Sequence, residues 1–250
     1  MKKNITAALL SLTLLLVNSV SAVAKSTTAD YTGRQAIIIV AASGVGKDTV
    51  TFELLKSEDK LSKLVSHTTR GIRSNEKEGV DYHFITKKKY NQMLKKGEFA
   101  EYADVYGNSY GLAKQQITDL LDKGQDLITN VAEDGAIQLR SFFKGIGVEP
   151  TVIYLLPPSI AEIERRLHKR GTETQEVIDK RMSLLGKHIP SYKIADYVIV
   201  ASEIATTKAN IDALYKTARI KHYNKNQLSK DIESIEKEVA ELELKMQNAA

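Results

Sequence analysis

The chain has 250 residues, enough for one sizeable core with appendages, and its 42% hydrophobic and 27% charged residues are the balance of a folded globular protein. It contains no cysteine, which excludes disulfides, thiolate metal sites and thiol catalysis. The formal charge of +5 favours anionic partners, an excess that arginines gathered round a phosphate pocket explain as well as a nucleic-acid surface does.

At the N-terminus, Lys2 and Lys3 precede an apolar run from Ala7 to Val17 and then small residues from Ser19 to Ala24. That order reads as a secretory signal peptide over 1–24, cleaved after Ala22 or Ala24, so an exported protein, periplasmic or secreted, is expected. The run is shorter than the roughly 20 apolar residues of a membrane span. The alternative is an uncleaved anchor or a buried first helix, with the chain cytoplasmic if the segment is no working signal. No later segment could span a bilayer, so no membrane partner is expected of the mature form. Residues 25–34 are polar and read as a linker.

Ala36-Ile37-Ile38-Ile39-Val40 is a β-branched run that predicts a buried parallel strand. A turn from Ala41 to Gly46 leads into a helix beginning near Lys47. Further strands are expected at Asp126–Val131, Thr151–Leu156 and Tyr197–Val200, with helices between them. This alternation predicts an α/β fold, a parallel sheet covered by helices on both faces. Between the first two strands lies an insert, 65–112, dense in Tyr, Arg, Gly and acidic residues. The last segment, 223–250, carries Leu228, Ile232, Ile235, Val239, Leu242 and Met246, spaced alternately four and three apart. That is a heptad seam. A lone helix of this length is marginal in water, so the seam needs a partner. A second copy, giving a homodimer, and the chain's own domain are the two candidates.

Ser43-Gly44-Val45-Gly46-Lys47-Asp48-Thr49 stands between the first strand and its helix. Glycines there let backbone N–H groups turn onto a polyphosphate, the lysine reaches the terminal phosphates, and the helix N-terminus adds positive potential. The pattern departs from the usual phosphate loop in two places. Ala41 replaces the leading glycine, and Asp48, with Thr49 after it, replaces the Ser or Thr that follows the lysine.

The insert carries Val65-Ser66-His67-Thr68-Thr69-Arg70-Gly71-Ile72-Arg73, then Glu76, Gly79 and Asp81-Tyr82-His83-Phe84. Glu98-Phe99-Ala100-Glu101-Tyr102-Ala103 and Val105-Tyr106-Gly107-Asn108-Ser109-Tyr110-Gly111 follow, and Arg166 to Thr174 with Lys180-Arg181 come later. From about Ala36 to about Tyr215 these segments, in this order, resemble guanylate kinase, a P-loop nucleoside-monophosphate kinase family. The loop's Gly-Lys-Asp is also similar to that of the ribose bisphosphate kinase of phosphonate metabolism. The resemblance implies a P-loop parallel sheet with flanking helices over 35–222, an inserted α+β acceptor subdomain at 65–112 and a helical lid at 160–190.

The resemblance also implies roles. Arg70, Arg73, Tyr82 and Tyr110 would hold the GMP phosphate, and Ser66 and Glu101 would read guanine. Lys47 would bind the ATP phosphates, and Arg166, Arg170 and Arg181 would close over the transferring group. Mg²⁺ would accompany ATP, with Asp48 and Thr49 as its nearest side chains. The partners are then ATP and GMP, not a nucleic acid. Further positions depart from the family: Leu112 where a Ser or Thr helps to read the base, Asn130 and Ala132 where it carries an Asp-x-Asp pair, Ala201-Ser202-Glu203 where an Asn-Asp-Asp contacts adenine, and His188 in place of a Glu in the helix after the lid. Three functions are therefore weighed: ATP-dependent phosphorylation of GMP, a kinase of the same build with another phosphorylated acceptor, and a binding-only module for a phosphorylated ligand or phosphopeptide.

Overall fold

The computed structural model describes residues 31–220 apart from 32, 75, 106, 172 and 173, together with residue 237. The expected signal peptide, most of the linker and the heptad segment lie outside the described residues. In chain order the elements begin with β1 (Gln35–Val40), α1 (Lys47–Leu55), β2 (Leu61–Lys63), β3 (His67–Thr68), β4 (His83–Phe84), α2 (Lys87–Lys95), β5 (Phe99–Val105), β6 (Asn108–Ala113) and α3 (Lys114–Asp122). They continue with β7 (Asp126–Val131), α4 (Glu133–Gly145), β8 (Glu149–Leu156), α5 (Ile160–Arg170), α6 (Gln175–Ser183), α7 (Leu185–His188), a 3₁₀ turn (Ile189–Ile194) and β9 (Tyr197–Val200). Residues 204–220 then form a helix.

The main sheet is parallel throughout, in the order β2-β7-β1-β8-β9. β1 is central, and all of its residues are buried because both of its faces are covered. Ile37 and Ile39 pack with Val50 and Leu54 of α1, Ile163 and Leu167 of α5, and Ile211 and Tyr215 of the last helix. Ala36, Ile38 and Val40 pack on the other face with Ile117 and Leu121 of α3 and Leu139 and Phe143 of α4. β2 carries no β-branched or aromatic residue and is too short to show as a strand in the sequence. It forms because β7 offers it a free edge. The polar lead-in ends sooner than expected. Tyr31 is buried in the second core, and its hydroxyl donates to Asp122 Oδ1 at 2.9 Å, so the domain begins there.

The insert builds a second sheet, β4-β3-β6-β5, with α2 packed on it through Tyr90, Met93 and Phe99. Tyr90 donates to the Tyr110 carbonyl at 2.8 Å, fixing the strand that carries Tyr110. Far from the loop, buried Asp126 accepts from the Gln35 N–H at 2.9 Å, from the Tyr215 hydroxyl at 2.7 Å and from Arg219, clamping the last helix to the foot of β7. Among the described residues no helix is long and apolar enough to cross a membrane.

Candidate active site

After β1 the backbone turns through Ala41–Gly46 into α1. Gly44 and Gly46 have φ of +87° and +107°, which side-chain-bearing residues seldom adopt. A Cβ on Gly44 would also come within 3.0 Å of the Leu167 side chain. The turn places the N-terminus of α1, with its N–H groups unpaired within the helix, at the top of the sheet, a cradle for an anion. The Lys47 ammonium lies across the loop and donates to the carbonyls of Ala41 (2.8 Å) and Ala42 (3.3 Å). Arg181 of α6 donates to the Ser43 hydroxyl from above.

Arg166 is placed differently from its expected position over the transferring group. Its Nε bonds Glu162 at 2.7 Å, one terminal nitrogen bonds the Val45 carbonyl at 2.7 Å, and the other bonds the carbonyls of Ala201 (3.1 Å) and Ser202 (2.8 Å). It braces the loop against the segment after β9 and does not line the cavity. The side chain of Arg170 lies outside the described residues. Thr49, expected near the metal, is exposed on α1 and also off the cavity wall.

The insert supplies the facing wall of a cavity of about 400 Å³, shared by the loop, Ser66 and all four expected phosphate ligands. Arg70 grips Glu76 with both terminal nitrogens, at 2.9 and 2.8 Å, and its guanidinium carbon lies 5.3 Å from the centre of the Tyr82 ring. The rings of Tyr82 and Tyr110 stand edge to face, 5.8 Å apart. Glu76 also accepts from the Arg73 N–H at 2.9 Å and pairs with its guanidinium at 3.8 Å. Burial by itself would raise the pKa of Glu76, but hydrogen bonds from Arg70 and from the Arg73 backbone hold it below the usual carboxylate range. Both arginines are thus pre-set by one acid. Burial, reinforced by Asp48 and Tyr110, pushes the Tyr82 hydroxyl up to about 12, so it is a proton donor at neutral pH.

Glu101, on β5, is only 3% exposed yet opens into this cavity. It accepts no hydrogen bond among the described residues, and desolvation pushes its pKa up to about 7. Gly135 makes the room: a Cβ there would lie 2.9 Å from Glu101 Oε2. Leu112, expected to face the base, instead sits in the second core at 0% exposure, across the strand pair from Glu101.

On the loop side, Asn130 donates to Asp48 Oδ1 at 2.9 Å and accepts from the Thr51 hydroxyl at 3.0 Å. Ala132 adds no donor or acceptor side chain, but the next residue does. Glu133 lines the cavity and accepts from the buried Ser191 hydroxyl at 2.5 Å. Lys63 also reaches the wall and donates to the Val80 carbonyl at 3.1 Å. Glu133 and Lys63 went unassigned in the sequence because nothing local distinguishes them from surface charges.

Comparison with known proteins fits this geometry. The family model for guanylate kinase matches residues 33–218. The guanylate kinase of Clostridioides difficile is 39% identical over 185 residues, covering 74% of this chain and 88% of that protein. That of Caulobacter vibrioides is 36% identical over 185 residues, covering 74% and 85%. The crystal structure of guanylate kinase from Anaplasma phagocytophilum aligns with a TM-score of 0.61 at 28% identity, covering 74% of this chain and 86% of that one.

Proposed function

We infer that this chain, which belongs to the guanylate kinase family, transfers the terminal phosphate of ATP to GMP, giving ADP and GDP. The observation that carries the assignment of the acceptor is Glu101, a buried carboxylate open to the cavity with no hydrogen-bond donor of its own among the described residues. Such a group is costly to bury unless a ligand satisfies it. Guanine does so with two donors on one edge, N1–H and the 2-amino group, whereas adenine presents an acceptor at N1. Ser66 lines the same cavity.

Opposite the base, Arg70, Arg73, Tyr82 and Tyr110 converge as donors for the acceptor's phosphate. Lys47 and the loop N–H groups take the ATP phosphates, with Arg181 above Ser43. An oxygen of the GMP phosphate attacks the γ-phosphorus, the bond from that phosphorus to the bridging oxygen breaks, and ADP leaves with the bond's electrons. The protein's contribution is alignment and charge neutralisation. Arg166 acts one step back, holding the loop in shape.

Asp48 suits the Mg²⁺ that ATP carries. It lines the cavity beside the loop, and the cation would be held mostly by phosphate and water oxygens with this one carboxylate nearby. When bound, the ion offsets phosphate charge. Thr49, facing away, has no part in this reading. Export through residues 1–24 and pairing of the heptad segment 223–250, either with a second copy or with the chain's own domain, complete the proposal.

Calorimetry with GMP, IMP and AMP tests the acceptor. GMP should bind tightest, IMP, which lacks the 2-amino group, more weakly, and AMP weakest. AMP binding as tightly as GMP would overturn it.

A further inference from the structure

We propose that Asn130 is a positioning residue for the loop carboxylate: it holds Asp48 toward the phosphates so that this single acid faces their metal ion. The inference rests on the reading of Asp48 just given.

Asp48 and Thr51 are three residues apart on α1 and so share a face, which looks toward the end of β7. Asn130 sits at that end and bridges them. The orientation of its amide is set by its partners. An aspartate only accepts hydrogen bonds, so the NH₂ must face Asp48. The carbonyl oxygen is then left toward Thr51, whose hydroxyl supplies the proton. Every group in the relay has one role, and Thr51 is buried, so its position is fixed by packing.

The Asp48 side chain is exposed, and an exposed carboxylate on a helix's first turn ordinarily samples several rotamers. The bond from Asn130 restricts that freedom and does so without adding charge. The amide therefore orients the acid without placing a second carboxylate 2.9 Å from it. Groups that orient a metal-facing ligand in this way typically influence affinity for the ion by about tenfold to a hundredfold.

Electron paramagnetic resonance titration of Mn²⁺ into the full chain with ADP provides the test, since free Mn²⁺ is read directly and no turnover is needed. Asp48→Asn and Asn130→Ala should each weaken Mn²⁺ binding about tenfold or more, and Asn130→Ala, which changes no charge, should keep the wild-type affinity for GMP measured without metal. Thr51→Val keeps the shape of the buried residue but frees the amide, and should weaken Mn²⁺ about threefold. If Asp48→Asn weakens Mn²⁺ while Asn130→Ala and Thr51→Val do not, the positioning role is wrong and the reading of Asp48 stands. If Asp48→Asn binds Mn²⁺ like the wild type, the reading of Asp48 falls and takes the inference with it. Should Asn130→Ala fold poorly, Thr51→Val decides: wild-type Mn²⁺ binding in that variant overturns the proposal.

Discussion

Glu101→Gln should make the ligand-free protein more stable and nearly abolish its affinity for GMP. The carboxyl has its pKa pushed from an ordinary 4.5 to about 7 by burial. At about 1.4 kcal/mol per unit, the ionised form is disfavoured in the fold by about 3 kcal/mol. The folded state keeps its proton to higher pH than the unfolded chain. Stability from this group is thus complete below about pH 4.5 and is lost as pH rises through about 7. Glutamine, similar in shape and neutral throughout, escapes that loss. Relative to wild type the variant should gain about 3 kcal/mol at pH 8.5, roughly 6–12 °C in Tm for a domain of this size, and close to nothing at pH 4.5. Its amide offers guanine one acceptor and one donor in place of two acceptors, so GMP should bind about a hundredfold more weakly. Urea unfolding at the two pH values and calorimetry with GMP measure both effects. An equal stability change at both pH values, or an unchanged affinity for GMP, would refute the reasoning.

Because wild-type Glu101 must be ionised to accept from guanine, the KM for GMP should rise as pH falls below about 7, and Glu101→Gln should flatten that profile. Lys47→Ala should lower the transfer rate at least a hundredfold while leaving GMP affinity intact, because the acceptor wall belongs to the insert. Arg73→Ala should weaken GMP about tenfold to a hundredfold with guanosine, which has no phosphate, binding equally to both forms. Glu76→Gln removes the acid that sets both arginines and should weaken GMP about tenfold, read by the same calorimetry.

How far the fold could be read in advance varied with how local its causes are. The β-branched run at 36–40 and the apolar runs at 126–131 and 197–200 carry their own signal, and those strands lie where the periodicity places them. β2 has none, since Leu61-Ser62-Lys63 becomes a strand only by pairing with β7. Tyr31 looks like part of a polar lead-in, and only the bond from its hydroxyl to the Asp122 carboxylate and the core behind it show otherwise. The site was legible as a set of residue types in order, because arginines, tyrosines and a glycine-rich turn state their chemistry directly. Their partners were not legible. Arg166 has the chemistry to close over phosphate, yet three backbone carbonyls claim its guanidinium. Leu112 follows Tyr110 by two, but it lies opposite the irregular pairing between Phe99 and Glu101, where β6 passes into the main core. Asn130 read as a lost carboxylate; its bond to Asp48 spans 82 residues and has no local trace.

The central claim is phosphoryl transfer to a guanine nucleotide, and the most direct test is a coupled assay of ADP release from ATP with GMP, AMP, UMP and ribose bisphosphate as acceptors. Rapid release with GMP and at least a hundredfold lower kcat/KM with each of the others is the predicted result. Release with none of them, or faster release with ribose bisphosphate than with GMP, would contradict it.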